Sequence, residues 1–284
     1  RHRLCVNRIL NPPLSSSQPW SVLLRARSTP VPPGVADRGN CRVQRLRLAD
    51  GVPLASTDAT DEGGEVTNAH ELPEDGEELL NYPWGIAVAK GLLYASDMRG
   101  RLCVFDAASL RLLSCLASTL TGLVSPHAMT VADDELFVAD YDRHCVLALG
   151  LQPRCAAPDD AGNTRSYFTG DERCIGRQGA KAGEFEHPVG VVVCDGVLFV
   201  SEFTGRRLQA LTLMGEPLCI LAPPSATRLL GLCVTADRIY AGDFESDSVH
   251  WWWRSSRAVE PEASESDAPD DPYLEDGTRT ISMY

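Results

Sequence analysis

Short apolar runs separated by turn dipeptides organise the middle of the chain. Within Gly179–Ile220, Gly190–Cys194 is followed by a turn at Asp195-Gly196. A second run, Val197–Ser201, ends on Glu202, and a turn at Thr204-Gly205 leads into a third, Arg207–Leu213. Pro217–Leu221 forms a weaker fourth. Short, β-branched segments bounded by turn residues predict the strands of one small sheet. Such a sheet cannot bury both of its faces alone, so a stable domain needs further copies of it.

The copies are present. Tyr82–Phe105, Ser125–Leu149, Pro188–Leu211 and Leu229–Trp252 share one pattern, with a small residue at the head of the first strand twelve positions before an acidic residue. The pairs are Gly85 with Asp97, Ala128 with Asp140, Gly190 with Glu202 and Gly231 with Asp243. A partial fifth copy, Val35–Gly51, places Asp37 in the acidic position, and the residues before it show no strand-like first half. The acidic positions are 60, 43, 62 and 41 residues apart, so the longer intervals carry insertions, near 55–78 and 152–178. Repeats of about 40 residues with three or four short strands predict an all-β fold, a β-propeller of four-stranded blades. Each blade then buries its faces against its neighbours.

The copies also resemble NHL repeats, whose consensus runs G-x-F-x-x-P-x-G-V-x-V, then L-Y-V-A-D, then N-x-R-V-Q-x-F. Gly183-Glu184-Phe185 with Pro188 and Gly190-Val191 matches the first part, and Tyr94–Asp97 and Phe137–Asp140 match the second. Asn40-Cys41-Arg42-Val43-Gln44 matches the third, with a partial echo at Arg207-Leu208-Gln209. The resemblance covers roughly Val35–Trp253 and implies a ring that commonly has six blades, of which about five are readable. It further implies protein binding, in some relatives substrate recognition within ubiquitin ligases, or RNA binding. Leu229 stands for the consensus Pro, Ala128 for Gly and Glu202 for Asp, and only Arg42 and Arg207 occupy the consensus Arg position.

Charge changes the picture at the edges rather than in the repeats. The net charge of −13 comes largely from acidic segments in Ala49–Ala89 and in the last twenty-six residues. That balance argues against nucleic acid, whose binders need a basic face. Residues 1–33 match no repeat and are expected to be atypical, and they form no signal peptide as they stand. Residues 34–258 are assigned to the propeller and 259–284 to a disordered acidic tail. No apolar run is long enough for a membrane helix. Several of the ten cysteines sit in strand-like runs and none forms C-x-x-C, which points to free thiols and a cytoplasmic, reducing setting.

The candidate chemistry is sparse. A recurring acid in every copy, Asp37, Asp97, Asp140, Glu202 and Asp243, fits a turn-capping role better than a catalytic one, because a site needs one or two. His127 and His187 flank first strands, and propeller lyases bind zinc through channel histidines. The positions equivalent to His127 are Trp84, Val189 and Leu230, so no histidine triad converges. The loops at one end of the ring gather Trp84, Arg99, His127, Tyr141, Arg143, His187, Phe203 and Phe244. Met98, Tyr141, Phe203 and Phe244, each following the acid, either pack between blades or form the aromatic and Arg mixture of a protein-binding patch. In Trp251-Trp252-Trp253, alternation points the central ring away from its neighbours. The sequence therefore favours a monomeric, non-catalytic scaffold for another protein or peptide, with no cofactor and no metal. The alternative is a metal-dependent propeller lyase or hydrolase with a central-channel site.

Overall fold

A computed structural model describes residues 23–24, 34–47, 52–57, 80–116, 121–152, 167–254 and 279–282. They form five four-stranded antiparallel sheets. Blade 1 comprises β1 (Leu23–Leu24), β2 (Gly34–Asp37), β3 (Arg42–Leu46) and β4 (Pro53–Ser56). Blade 2 comprises β5 (Ile86–Ala89), β6 (Leu92–Ser96), β7 (Leu102–Asp106) and β8 (Leu112–Leu116). Blade 3 follows with β9 (Pro126–Ala132), β10 (Glu135–Asp140), β11 (Cys145–Leu151) and β12 (Phe168–Ile175). Blade 4 contains β13 (Pro188–Cys194), β14 (Val197–Glu202), β15 (Leu208–Thr212) and β16 (Pro217–Leu221). Blade 5 contains β17 (Leu229–Val234), β18 (Arg238–Asp243), β19 (Ser248–Trp253) and β20 (Arg279–Ser282). First strands of successive blades are neighbours, from β1 beside β5 through β9 and β13 to β17.

Local chemistry sets the hairpins. The β5–β6, β9–β10 and β13–β14 connections are two-residue turns, at Lys90-Gly91, Asp133-Asp134 and Asp195-Gly196. Both residues of each have positive φ, the geometry whose twist suits a tight hairpin and that Asp and Gly tolerate best.

Among the described residues the core is divided into four interblade layers. On β10, Leu136 and Val138 pack towards blade 2 with Tyr94 and Val104, whereas Phe137 and Ala139 pack towards blade 4 with Leu198 and Val200. Ala36 and Val43 meet Ile86 and Leu93 between blades 1 and 2, and Phe199 and Leu208 meet Ile239 and Trp252 between blades 4 and 5. Period-two alternation therefore sends consecutive residues to different layers, which is why the middle strands read as unbroken apolar runs. Blade 5 shows the contrast: Trp252 is buried against blade 4, and Trp253 is 58% exposed on the other side.

The small residue heading each first strand marks where neighbouring blades come closest. A Cβ on Gly85 would collide with the His127 carbonyl oxygen, and one on Gly190 with the Leu230 carbonyl oxygen and Ser201 Oγ. Ser96 Oγ accepts from Gly85 N at 2.9 Å and donates to His127 O at 2.9 Å, tying blade 2 to blade 3. Ser201 repeats the device, accepting from Gly190 N at 3.1 Å and donating to Leu230 O at 2.8 Å.

Several sequence expectations need correction. Leu23–Leu24 supplies a first strand to blade 1, pairing with Gly34 and Val35. Phe168–Ile175, assigned to an insertion, is the fourth strand of blade 3, and Arg279–Ser282, assigned to the tail, pairs with β19. In each case backbone pairing to an open sheet edge outweighs weak local propensity. Cys103 and Cys115 form a disulfide, because the β7–β8 register places them directly opposite each other. Cys145, Cys174, Cys194 and Cys219 are free thiols. The described residues hold five blades, and most of residues 1–33 and 259–284, to which the atypical segment and the tail were assigned, lie outside them.

Gly85→Val is expected to destabilise the fold by ~1–3 kcal/mol, the usual penalty for overpacking a closed contact. Urea unfolding followed by circular dichroism measures it, and an unchanged midpoint would refute the close approach of blades 2 and 3.

Candidate functional site

The recurring acids build the face on which the candidate residues stand. Asp97, Asp140 and Glu202 are fully buried and Asp243 nearly so. Each accepts a backbone N–H from the segment leading into its own blade's first strand. These are Asn81 to Asp97 at 3.2 Å, Val124 to Asp140 at 2.8 Å, Glu186 to Glu202 at 2.7 Å and Thr227 to Asp243 at 2.7 Å. The expected capping of the second turn holds for Asp97, which also receives Arg99 N at 3.0 Å. In the other full copies the carboxylate reaches across to the lead-in instead. The residue after each acid completes the tie through its own N–H: Tyr141 to Ser125 O, Phe203 to His187 O and Phe244 to Arg228 O, all 2.9 Å.

The side-chain partners of these acids vary. Arg42 bonds Asp37 at 3.0 Å, Arg101 bonds Asp97 at 2.6 Å and Arg207 bonds Glu202 at 2.7 Å. Arg101 escapes the consensus spacing because its turn is one residue shorter than the others. In blade 5 the buried His250 takes the place of Arg, 3.2 Å from Asp243. Burial alone would raise the Asp243 carboxyl, but bonds from Thr227, Arg228 and His250 hold it well below the usual carboxylate range. For Glu202, burial outweighs Arg207, Gln209 and the Glu186 N–H and pushes the carboxyl up.

These ties bring the lead-ins and second turns together into one continuous stack of rings. Trp84 and His127 lie 4.3 Å apart by ring centroid, His127 and Tyr141 are stacked at 4.9 Å, and Tyr141 and His187 lie at 4.3 Å. Phe203 meets Tyr141 edge-on at 6.0 Å, and His144 sits 4.2 Å from His187. A guanidinium closes each end, Arg38 4.7 Å from the Trp84 ring and Arg228 5.0 Å from Phe203. The row crosses all five blades. Trp84, Tyr141, His187 and Phe203 are half-buried and His127 is buried. Met98 and Phe244 are exposed, so the residues after the acids stand on the face rather than wholly between blades.

The histidines are wired within the face. His127 Nδ1 lies 2.9 Å from Ser125 O, which fixes the proton on that nitrogen. His187 Nδ1 contacts Thr204 Oγ1 at 2.7 Å, and that hydroxyl donates to Glu186 O at 3.2 Å. His144 Nδ1 accepts from His187 N at 3.1 Å. Burial pushes both His127 and His187 below the usual histidine range, the latter assisted by the charge of His144. Burial likewise raises the Tyr141 phenol, with Asp142 adding to it. Among the described residues, no group of three or more His, Cys, Asp or Glu side chains is placed to hold a metal ion.

No family model matches this chain, and no curated protein matches it. Solved structures do. A nidogen/laminin complex matches with a TM-score of 0.53 at 16% identity, covering 78% of this chain and 71% of that one. A streptogramin B lyase matches at 0.53 and 13% identity, covering 96% and 71%. A catalytically inactive virginiamycin B lyase from Staphylococcus aureus with quinupristin matches at 0.53 and 14% identity, covering 88% and 71%. The fold is a β-propeller. At these identities the propeller likeness extends to the fold alone.

Of the candidates read from sequence, the structure joins Trp84, His127, Tyr141, His187 and Phe203 in the stack. Arg143 is exposed nearby and bonds the Gly122 carbonyl, Arg99 is exposed beside Asp97, and Phe244 stands on the blade 5 side. Arg38, Tyr82, His144 and Arg228 were missed. Arg38 follows the acid of the partial copy, and Tyr82 and Arg228 share the register of His187 fifteen positions before the acid, so the repeat itself held the signal.

Because the folded state lowers the His127 pKa, the stability linked to it is full above about pH 6.5 and is lost as pH falls through the folded value. The urea midpoint is therefore expected to drop less between pH 7.5 and 5.5 in His127→Gln than in the wild type, a comparison that cancels the opposite trend of Glu202. Parallel pH profiles would contradict this account of His127.

Proposed function

We propose that this chain is an NHL-type propeller that binds another protein or peptide through the ring-stacked face and performs no catalysis of its own. The observation that carries this reading is the continuous row from Arg38 through Trp84, His127, Tyr141, His187 and Phe203 to Arg228. Half-buried aromatic rings interleaved with Arg have the composition of binding hot spots, because they offer large apolar area at low entropic cost. The fold likeness to a nidogen structure in complex with laminin accords with such a role. The NHL resemblance adds substrate recognition within a ubiquitin ligase as a context for the face.

One observation favours a second reading, a metal-dependent lyase. His127 and His187 flank Tyr141 and His144 lies 4.2 Å from His187, although among the described residues no three such side chains are placed to hold a metal ion. Zinc titration by calorimetry separates the two: one tight site per chain, lost in His187→Ala, would replace the scaffold reading.

For the scaffold, affinity purification with wild type and with the Trp84→Ala/Tyr141→Ala double variant is the direct test. Partners recovered by the wild type are expected to be lost or weakened by about 2 kcal/mol or more, the scale of hot-spot truncation. Trp253→Ala, on the side of blade 5 away from blade 4, is expected to retain them. Equal recovery by the double variant would overturn the proposal.

A further inference from the structure

The two guanidinium groups that close the ring stack are held differently. Arg228 lies over Phe203 and also pairs with Glu245 at 3.0 Å. Arg38 lies over Trp84 at 4.7 Å and Tyr82 at 5.6 Å, and among the described residues no carboxylate meets it. Its hydrogen bond runs from Nη2 to Met98 Sδ at 3.2 Å, and a thioether is a weak acceptor. Among the described residues, the buried Arg38 Nε has no hydrogen-bond partner. The nearest acid in sequence, Asp37, is occupied by Asn40 at 2.9 Å and Arg42 at 3.0 Å. Arg38 opens a single 3-10 turn, Arg38–Asn40, that follows Asp37, which fixes the direction in which it leaves the blade.

A guanidinium has five N–H donors in a planar fork suited to a carboxylate, and Arg38 commits one of them to sulfur. Burial in the aromatic corner holds the group below the usual arginine range, with Tyr82 acting in the opposite sense, and it remains a cation. A partly desolvated charge without a counterion is an unfavourable arrangement in the free protein, and an incoming anion relieves it. Arg99 and Arg143 are also exposed on this face, whose acids include Asp142, Glu186 and Glu245, the last of them taken by Arg228.

Resting on the reading of this face as a protein-binding surface, we propose that the Arg38–Trp84–Tyr82 corner is a carboxylate-binding site, filled by an acidic side chain of the partner. The carboxylate would take the free edge of the guanidinium fork, as Glu245 does for Arg228 at the opposite end, and the two rings would cover the pair. The partner segment is accordingly acidic at this end of the row and apolar where it meets Tyr141 and Phe203.

A fluorescein-labelled hexaglutamate peptide, followed by anisotropy at low salt, tests the site, with hexaglutamine as the neutral control. The wild type is expected to bind hexaglutamate and not hexaglutamine. Arg38→Gln is expected to weaken binding at least tenfold. Arg38→Lys, which keeps the charge and loses the fork, should fall between the two, and Arg111→Gln, away from the face, should match the wild type. Thermal melts establish that each variant is folded. Equal binding by Arg38→Gln and wild type, equal affinity for hexaglutamine, or no binding by the wild type would overturn the proposal. A protein partner lost in Trp84→Ala/Tyr141→Ala but fully retained in Arg38→Gln would sink the carboxylate site and leave the face reading standing. A partner retained by both would sink the two together.

Discussion

A blade of this molecule has no core of its own. The central strands of blades 2, 3 and 4 are buried on both faces, and each face is completed by a different neighbour, so the stability of one sheet is a property of the blades beside it. The β10 strand states the constraint compactly: Leu136 and Val138 belong to one layer, Phe137 and Ala139 to the next. Everything else follows from the need to bring such sheets close together. Small residues head the first strands because those strands crowd at the inner edge, and Ser96 and Ser201 turn that crowding into hydrogen bonds between blades.

The second constraint is polar and lies at one end of the ring. A buried carboxylate is costly unless it is fully bonded. Here the bonds come from the lead-in of the first strand together with an Arg, a His or neighbouring N–H groups. The consequence reaches beyond stability. Locking the lead-in to the second turn holds two sets of loop side chains at fixed spacing in every blade. When those positions carry aromatic residues in adjacent blades, the rings meet, and the row from Trp84 to Phe203 results. Residues that look like an acidic site in one blade are thus the scaffold of a surface shared by five.

That surface is uneven in charge and in satisfaction. Its histidines are wired to one another and to backbone carbonyls, and two of them are held towards the neutral form by burial. Arg228 is neutralised by Glu245, whereas Arg38 rests between rings with a thioether as its acceptor. Among the described residues, one end of the row is therefore ion-paired and the other is not.

The repeat was legible in the sequence because the physics that creates it is local. Strand alternation, tight-turn residues and an acid at constant spacing recur with each blade, so the propeller could be read from the repeat, whereas Arg38, Tyr82, His144 and Arg228 on its loop face were not. Strands with weak propensity were not legible: Leu23–Leu24, Phe168–Ile175 and Arg279–Ser282 form because an adjacent sheet edge offers them hydrogen bonds. Nor was the Cys103–Cys115 bond, which depends on register between β7 and β8. Sequence spacing placed Trp84, His127, Tyr141, His187 and Phe203 on one face, but only the packing of blade on blade set them ring to ring. The same packing set Arg38 over Trp84, because which side chains meet across two blades is decided by distances between sheets that no single stretch of chain encodes.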